Sequence, residues 1–245
     1  MTLSIFWYNA KSMSPFLRIL ENEVQLAALA FLGVVYFIRV LWLLRFRSGR
    51  PRTWPAGSAS RGVRVSLANV AMPWAMESTR KDLFFYAQFV VFHIGVAASI
   101  GATFIIPYAP AVFRIRAVVL LFQIVIGAAF IAALWRLYRR LSDPALRLVS
   151  SADDYASIVL MIAYFASAIL AVPNTPEKAE WPLAAFFGLT AFLLVYVPFS
   201  KIEHYLYYPF TRYFPGRTLG HRGSFPAPAA DDSRSGRVRV GGGAG

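Results

Sequence analysis

The sequence predicts an all-α membrane protein built as a bundle of five transmembrane helices. Hydrophobic residues make up 58% of the 245 residues, whereas charged residues make up only 15%. A helix needs ~20 mostly apolar residues to cross the ~30 Å hydrocarbon core of a bilayer. In lipid each span must satisfy its own backbone hydrogen bonds, which favours helices. Five segments meet these requirements, within one predicted membrane domain over residues 24–214: residues 24–44, 83–106, 117–137, 155–172 and 182–205.

The segments between and beside these spans have distinct compositions. Residues 1–23 form a predicted outer N-terminal segment. Residues 45–82 are a long basic connection, either a docking site for a soluble subunit or a solvated linker. Span four opens with Ser151 followed three residues later by Asp154, the spacing of a capping box. Residues 215–245 are rich in Gly, Pro, Ser and Arg, so a disordered cytoplasmic tail is predicted there.

The basic residues are sorted by connection, and this predicts the orientation of the chain. The net charge is +13; eight Lys/Arg lie between spans one and two, four from Arg136 at the end of span three to Arg147, and seven from Lys201 near the end of span five to the end of the sequence. The opposite side of the bundle carries five. The positive-inside rule then places the N-terminus outside and the C-terminus in the cytoplasm, in a multi-pass protein of the cell inner (cytoplasmic) membrane. This sorting argues against a nucleic-acid partner; a basic surface for anionic lipid or an acidic partner remains an alternative.

Two of the three histidines, His93 and His204, lie inside predicted spans. An intramembrane imidazole is costly without a partner and is therefore a candidate functional residue. Spans two and five run in opposite directions, so both histidines fall on the cytoplasmic side. We predict that they are the metal-binding axial ligands of one non-covalent b-type haem. The alternative is that each imidazole bonds to a neighbouring helix or lies exposed at the interface.

The predicted depths of the two histidines differ. At ~1.5 Å per residue, His204 lies roughly 12 Å further from the outer end of its span than His93 does. A haem between them therefore requires helix tilt, or a fifth span that begins above the membrane. The chain has no cysteine, which excludes a covalent c-type haem and Cys-ligated iron–sulfur clusters on this chain.

Arg39 is a third candidate cofactor-binding residue. It lies on the cytoplasmic half of span one, about 9 Å along the helix from Arg45. A guanidinium fork suits a salt bridge to a haem propionate, and we interpret Arg39 in this way. The alternative is a side chain that snorkels to the inner interface.

Three strings resemble the respiratory nitrate reductase gamma subunit family, a family of membrane cytochromes b. Residues 92–95, Phe-His-Ile-Gly, resemble its second helix, and residues 151–154, Ser-Ala-Asp-Asp, resemble the start of its fourth. Residues 192–204, which contain Pro-Phe-Ser-Lys-Ile-Glu-His, resemble its fifth helix and are the most specific part. The resemblance covers roughly residues 24–210.

The resemblance implies a single-haem variant of that family. The family has two haems and four histidine ligands, two on each of these helices. Thr103, ten residues after His93, and Phe186, eighteen residues before His204, occupy the other two ligand positions. Both positions belong to the outer haem, so we expect the outer half of the bundle to be packed with side chains. Quinol oxidation on the outer side, as in the family, is then not expected.

These observations predict an electron-transfer subunit that is not itself catalytic, part of a respiratory complex. It would carry electrons through one haem b between a quinone pool, or a partner cytochrome, and a cytoplasmic iron–sulfur subunit. Further cytochrome or membrane subunits are expected partners. The alternative is a haem-free membrane anchor that recruits a soluble redox complex. A small transporter is disfavoured because no paired intramembrane carboxylates or inverted repeats are found.

Overall fold

A computed structural model describes residues 13–46, 49, 53–72 and 80–226. Within these residues the secondary structure is helical. The α-helices are α1 Pro15–Leu44, α2 Ala59–Ala68, α3 Leu83–Tyr108, α4 Arg116–Ser142, α5 Pro144–Leu148, α6 Ala152–Ala171, α7 Trp181–Tyr196 and α8 His204–His221.

Five of the described helices, α1, α3, α4, α6 and α7, are long and apolar enough to cross a membrane. The predicted number of spans is confirmed for the described residues, and the chain is a multi-pass membrane protein. Helix α1 begins earlier than predicted because Ser14 caps it and Pro15 occupies its first turn. The predicted outer segment is therefore helical from Pro15 onward, and its residues 1–12 lie outside the described residues.

The chain divides into two compact units. The first comprises residues 1–46 and 77–206 and contains the five apolar helices; the second comprises residues 47–76 and 207–245. In the first unit α4 packs against α3 and α6, and α7 packs against α6 and α1. This division differs from the single membrane domain predicted over residues 24–214, because the long basic connection groups with the C-terminal residues.

The packed core of the first unit lies toward the end where α3 ends and α7 begins. The buried residues of α3 all follow His93 in sequence, and those of α7 lie between Leu183 and Leu193. Phe165, Phe186 and Phe187 are fully buried there. We call the other end, formed by the start of α3 and the residues that follow α7, the histidine end. It is less tightly packed, since no residue of α3 before Gly95 is buried.

Hydrogen bonds between Ser14 and Glu180, which we call the clasp, join the starts of α1 and α7. The backbone N–H and the hydroxyl of Ser14 each donate to a carboxylate oxygen of Glu180, both at 2.5 Å. The hydrogen bond from the Ser14 hydroxyl, and to a smaller extent the one from its backbone N–H, holds the pKa of Glu180 below its usual value. The clasp fixes the two helix starts relative to each other at the end opposite the histidines.

The fifth span is interrupted rather than continuous over residues 182–205 as predicted. Helix α7 ends at Tyr196, a 3₁₀ turn spans Val197–Phe199, and Ser200 is extended. Pro198 has no N–H to donate and restricts the residue before it, which favours a helix end. A second 3₁₀ turn, Lys201–Glu203, then leads into α8. His204 therefore begins a new helix, and the depth that a continuous helix predicts for it does not apply.

Small residues hold the second unit together. Ser58, Gly62 and Ser66 on one side meet Gly216 and Gly220 of α8 on the other. A Cβ on Gly62 would lie 2.2 Å from the Gly216 carbonyl oxygen, so the two backbones approach as they do in small-xxx-small helix crossings.

The described part of the predicted disordered tail is ordered by this crossing. Helix α8 continues through Pro215 to His221. Disorder was predicted because this segment has few large apolar side chains. The structure shows instead that Gly216 and Gly220 pack through their backbone atoms. The rest of the predicted tail, residues 227–245, lies outside the described residues.

Candidate functional site

The structure brings His93 and His204 together at the histidine end of the first unit. Their ring centroids lie 6.1 Å apart, with the ring planes at 85°. His93 is half-buried in α3, and His204 is exposed as the first residue of α8. The break after α7 positions His204 opposite His93. The predicted ligand pair is thus a spatial pair.

The hydrogen bonds of the two imidazoles leave the same nitrogen available on each ring. Nδ1 of His93 donates to the Phe89 carbonyl at 2.7 Å, and Nδ1 of His204 donates to the Lys201 carbonyl at 3.2 Å. Since a carbonyl only accepts, Nδ1 carries the proton, and Nε2 of a neutral ring keeps its lone pair. Metal-binding histidines commonly have their second nitrogen bound to a carbonyl in this manner.

The arrangement fits a cofactor that needs two imidazole ligands. A metal held at ~2 Å by one nitrogen of each ring separates the ring centroids by about 6 Å. Within the described part of the chain no group of three or more His, Cys, Asp or Glu residues is placed to hold a metal. Two imidazoles suit a metal whose remaining ligands come from a macrocycle. The donor set and the loose packing before Gly95 therefore fit a b-type haem.

Arg39 lies at this end of the first unit but has a partner that the sequence analysis missed. Its guanidinium forms an ion pair with the Glu203 carboxylate and lies 5.6 Å from the centroid of the Phe199 ring. Glu203 directly precedes His204. A carboxylate next to a candidate ligand histidine, in a string otherwise rich in apolar residues, is the signal that could have identified it. The positive charge of Arg39 is compensated within the chain.

The start of α6 holds the segment that carries His204. The Asp153 carboxylate accepts from the Tyr196 hydroxyl at 2.5 Å and from the Lys201 backbone N–H at 2.9 Å. The Asp154 carboxylate accepts from the Ser151 backbone N–H and from the Lys201 ammonium, at 2.8 and 2.6 Å. The predicted capping box is confirmed. The Asp154 carboxylate caps α6. Together the two carboxylates also hold the residues on both sides of the break between α7 and α8.

Arg136, near the end of α4, also belongs to the site and was not predicted. Its guanidinium lies 4.8 Å from the centroid of the Phe92 ring, which adjoins His93 in sequence. The Nε atom is buried and has no hydrogen-bond partner among the described residues. From the sequence, Arg136 was used only as one of the basic residues that predict the orientation of the chain in the membrane.

At the opposite end, Thr103 and Phe186 meet at a tyrosine. The Thr103 hydroxyl donates to the Ser99 carbonyl at 3.1 Å and lies 3.3 Å from the Tyr164 hydroxyl. The Tyr164 and Phe186 rings stack at 5.5 Å with an interplanar angle of 13°. The two positions where the resemblance implies a second ligand pair are therefore occupied by packed side chains.

Comparison with models of protein families, with curated proteins and with solved structures finds no match to this chain. The resemblance to the nitrate reductase gamma subunit family therefore rests on the three sequence strings.

Proposed function

We propose that the chain is a membrane cytochrome b subunit that holds one b-type haem between His93 and His204. The observation that carries this proposal is the facing pair of imidazoles, 6.1 Å apart, with both Nδ1 atoms bound to backbone carbonyls. A haem bound in this way supplies one-electron redox chemistry. The two imidazoles come from different helices, which suits a cofactor shared between helices of a membrane bundle.

The residues around the two histidines have separate tasks in this proposal. The Phe89 and Lys201 carbonyls select the tautomer and fix the ring orientations. Asp153 fixes the break through the Lys201 N–H, so that His204 keeps its position. Arg39 neutralises Glu203, so that no unpaired carboxylate lies beside the ligand.

The proposed subunit works in a respiratory or electron-transfer complex of the cell inner membrane. Its redox partners are a quinone pool or a second cytochrome on one side of the electron path, and a cytoplasmic iron–sulfur subunit on the other. The distribution of Lys and Arg supports this orientation, with the histidine end facing the cytoplasm.

Reporter fusions test the orientation. A reporter that is active only in the cytoplasm should be active when it is fused to the C-terminus. Activity of a reporter restricted to the outer side would reverse the orientation.

Absorption spectroscopy of the purified full-length protein tests the haem proposal. We expect a Soret band and the spectrum of a low-spin, six-coordinate b-type haem. His93→Ala and His204→Ala should each abolish that low-spin spectrum. His221→Ala is the matched control, since that imidazole lies in the second unit near the Thr53 carbonyl. A wild-type protein without a Soret band would overturn the proposal and favour a haem-free anchor.

A further inference from the structure

Arg136 differs from the two other arginines in the last turns of α4. Arg140 forms a salt bridge with Asp154 and donates to the Ser150 hydroxyl at 2.7 Å. Arg139 lies 5.7 Å from the centroid of the Phe85 ring. Arg136 has an aromatic face beside it, but its buried Nε has no acceptor within the described residues. Burying a guanidinium N–H without an acceptor is costly.

The described acidic side chains at the histidine end are engaged elsewhere. Glu203 pairs with Arg39, and Asp154 pairs with Lys201 and Arg140. Asp153 accepts from the break after α7. The two remaining acids, Asp82 and Asp143, accept from backbone N–H groups at the starts of α3 and α5. The acceptor for Arg136 must therefore come from elsewhere than these carboxylates.

The position of Arg136 indicates what that acceptor is. Its guanidinium lies 4.8 Å from the centroid of the Phe92 ring, and the centroids of the Phe92 and His93 rings lie 5.6 Å apart. An oxyanion next to the ligand histidine satisfies both the charge and the planar N–H groups of an arginine. Beyond the acidic side chains of the described residues, a carboxylate of the cofactor and a phosphate of a phospholipid headgroup are two oxyanions that a guanidinium would bind.

We propose that Arg136 binds a carboxylate of the haem held by His93 and His204. This assignment rests on the proposed function. The cofactor is favoured over a headgroup because the Nε is buried and because the guanidinium lies over the Phe92 ring, which contacts the His93 ring. Arg136 would then neutralise a carboxylate of the cofactor, in contrast to Arg39, whose charge Glu203 of the chain neutralises. A nearby positive charge favours the reduced iron and raises the midpoint potential.

A redox titration of the intact, haem-loaded protein tests the assignment. In Arg136→Gln we expect a lower midpoint potential, with the low-spin spectrum retained because both histidines remain. Arg136→Lys keeps the charge and should restore most of the potential even if haem is held less tightly. Arg139→Gln is the matched control, one turn away on the same helix, and should titrate like the wild type. An unchanged potential in Arg136→Gln overturns the assignment while leaving the haem proposal intact.

A second arm of the experiment separates the two sources of the oxyanion. The wild type and Arg136→Gln are titrated in a maltoside detergent after removal of bound phospholipid, which leaves no phosphate, and in phospholipid nanodiscs. If the cofactor supplies the carboxylate, the difference in potential between the two proteins is the same in both media. A difference found only in the phospholipid nanodiscs overturns the cofactor assignment in favour of a headgroup. Absence of a Soret band from the wild type would instead contradict the proposed function itself.

Discussion

The two candidate ligands are oriented by backbone carbonyls rather than by carboxylates. The Phe89 carbonyl accepts from His93, and the Lys201 carbonyl accepts from His204. A carbonyl does not titrate, so the protonation of Nδ1 does not depend on the charge of a neighbouring acid. The Nε2 lone pairs consequently remain available wherever the imidazoles are neutral.

Arg39→Gln should lower the midpoint potential of the proposed haem. The substitution removes a positive charge and leaves the Glu203 carboxylate unpaired beside His204, which favours the oxidised iron. Redox titration of the purified protein measures the shift. The expected cause of the shift is the unpaired Glu203 carboxylate next to His204, rather than loss of a salt bridge between Arg39 and a haem propionate.

The double variant Arg39→Gln with Glu203→Gln separates this cause from direct contact with the cofactor. Removing both charges leaves the local net charge unchanged, so the potential should return close to the wild-type value. If it stays as low as in Arg39→Gln alone, Arg39 binds a haem propionate directly, as the sequence analysis interpreted it.

At the scale of elements, the break between α7 and α8 decides where His204 lies. Hydropathy could not predict this break, because the apolar residues continue on both sides of Pro198. The resemblance identified the correct string of residues but supplied no backbone conformation. The capping box at the start of α6 was predicted from the sequence. The hydrogen bonds that Asp153 accepts from Tyr196 and Lys201 were not, because these residues lie more than 40 positions away in sequence.

Asp153→Asn should weaken the proposed ligation of haem by His204 while preserving the fold of the bundle. The carboxylate accepts from the Tyr196 hydroxyl and the Lys201 N–H, and hydrogen bonds to charged groups contribute ~1.5–3 kcal/mol each. The amide keeps the shape but loses the charge and one acceptor atom. We expect part of the haem to become high-spin in the absorption spectrum. Asp143→Asn, at the start of α5, is the control, and an unchanged low-spin spectrum in Asp153→Asn would remove Asp153 from the site.

Gly62→Leu should separate the two helices of the second unit. Any side chain at this position meets the Gly216 oxygen and the Gly220 Cα at 2.2 and 2.7 Å from its Cβ, and backbone atoms cannot rotate away. Faster backbone hydrogen exchange in α2 and in residues 209–221 of α8, relative to the wild type, would report the separation. Gly33→Leu is the control, because no atom lies within 4 Å of a Cβ there. Equal exchange in both variants would mean that the glycine crossing does not stabilise the unit.

At the scale of the whole molecule, the sequence predicted the features that depend on hydrophobicity, such as the number of spans. It did not predict the features that depend on close contact between backbones. Five spans follow from composition and length, whereas the 6.1 Å approach of the His93 and His204 rings depends on the break after α7. The second unit was not predicted because its crossing depends on glycines separated by more than 150 residues, such as Gly62 and Gly216. The partner of Arg39 was missed because Glu203 was interpreted only as part of a family string.

The two ends of the first unit differ in packing, and this difference predicts how much haem the chain binds. Phe186 is fully buried against Tyr164, and Thr103 bonds to Ser99 and lies beside Tyr164, so side chains fill the region where a second macrocycle would lie. The start of α3, in contrast, has no buried residue before Gly95. One haem per chain is therefore expected.

Pyridine haemochrome measured against protein mass should give a ratio of one haem per chain. The variant Thr103→His with Phe186→His restores both missing imidazoles, but we expect its ratio to remain at one because the Tyr164 ring still lies between the two positions. Adding Tyr164→Gly to that variant removes the ring and should raise the ratio if the helices keep their spacing. A ratio of two in the wild type would contradict the prediction, since it would require a second ligand pair other than Thr103 and Phe186. A ratio of two in the double histidine variant alone would show that the tyrosine moves aside, and that loss of the ligands, rather than filling of the space, limits haem binding.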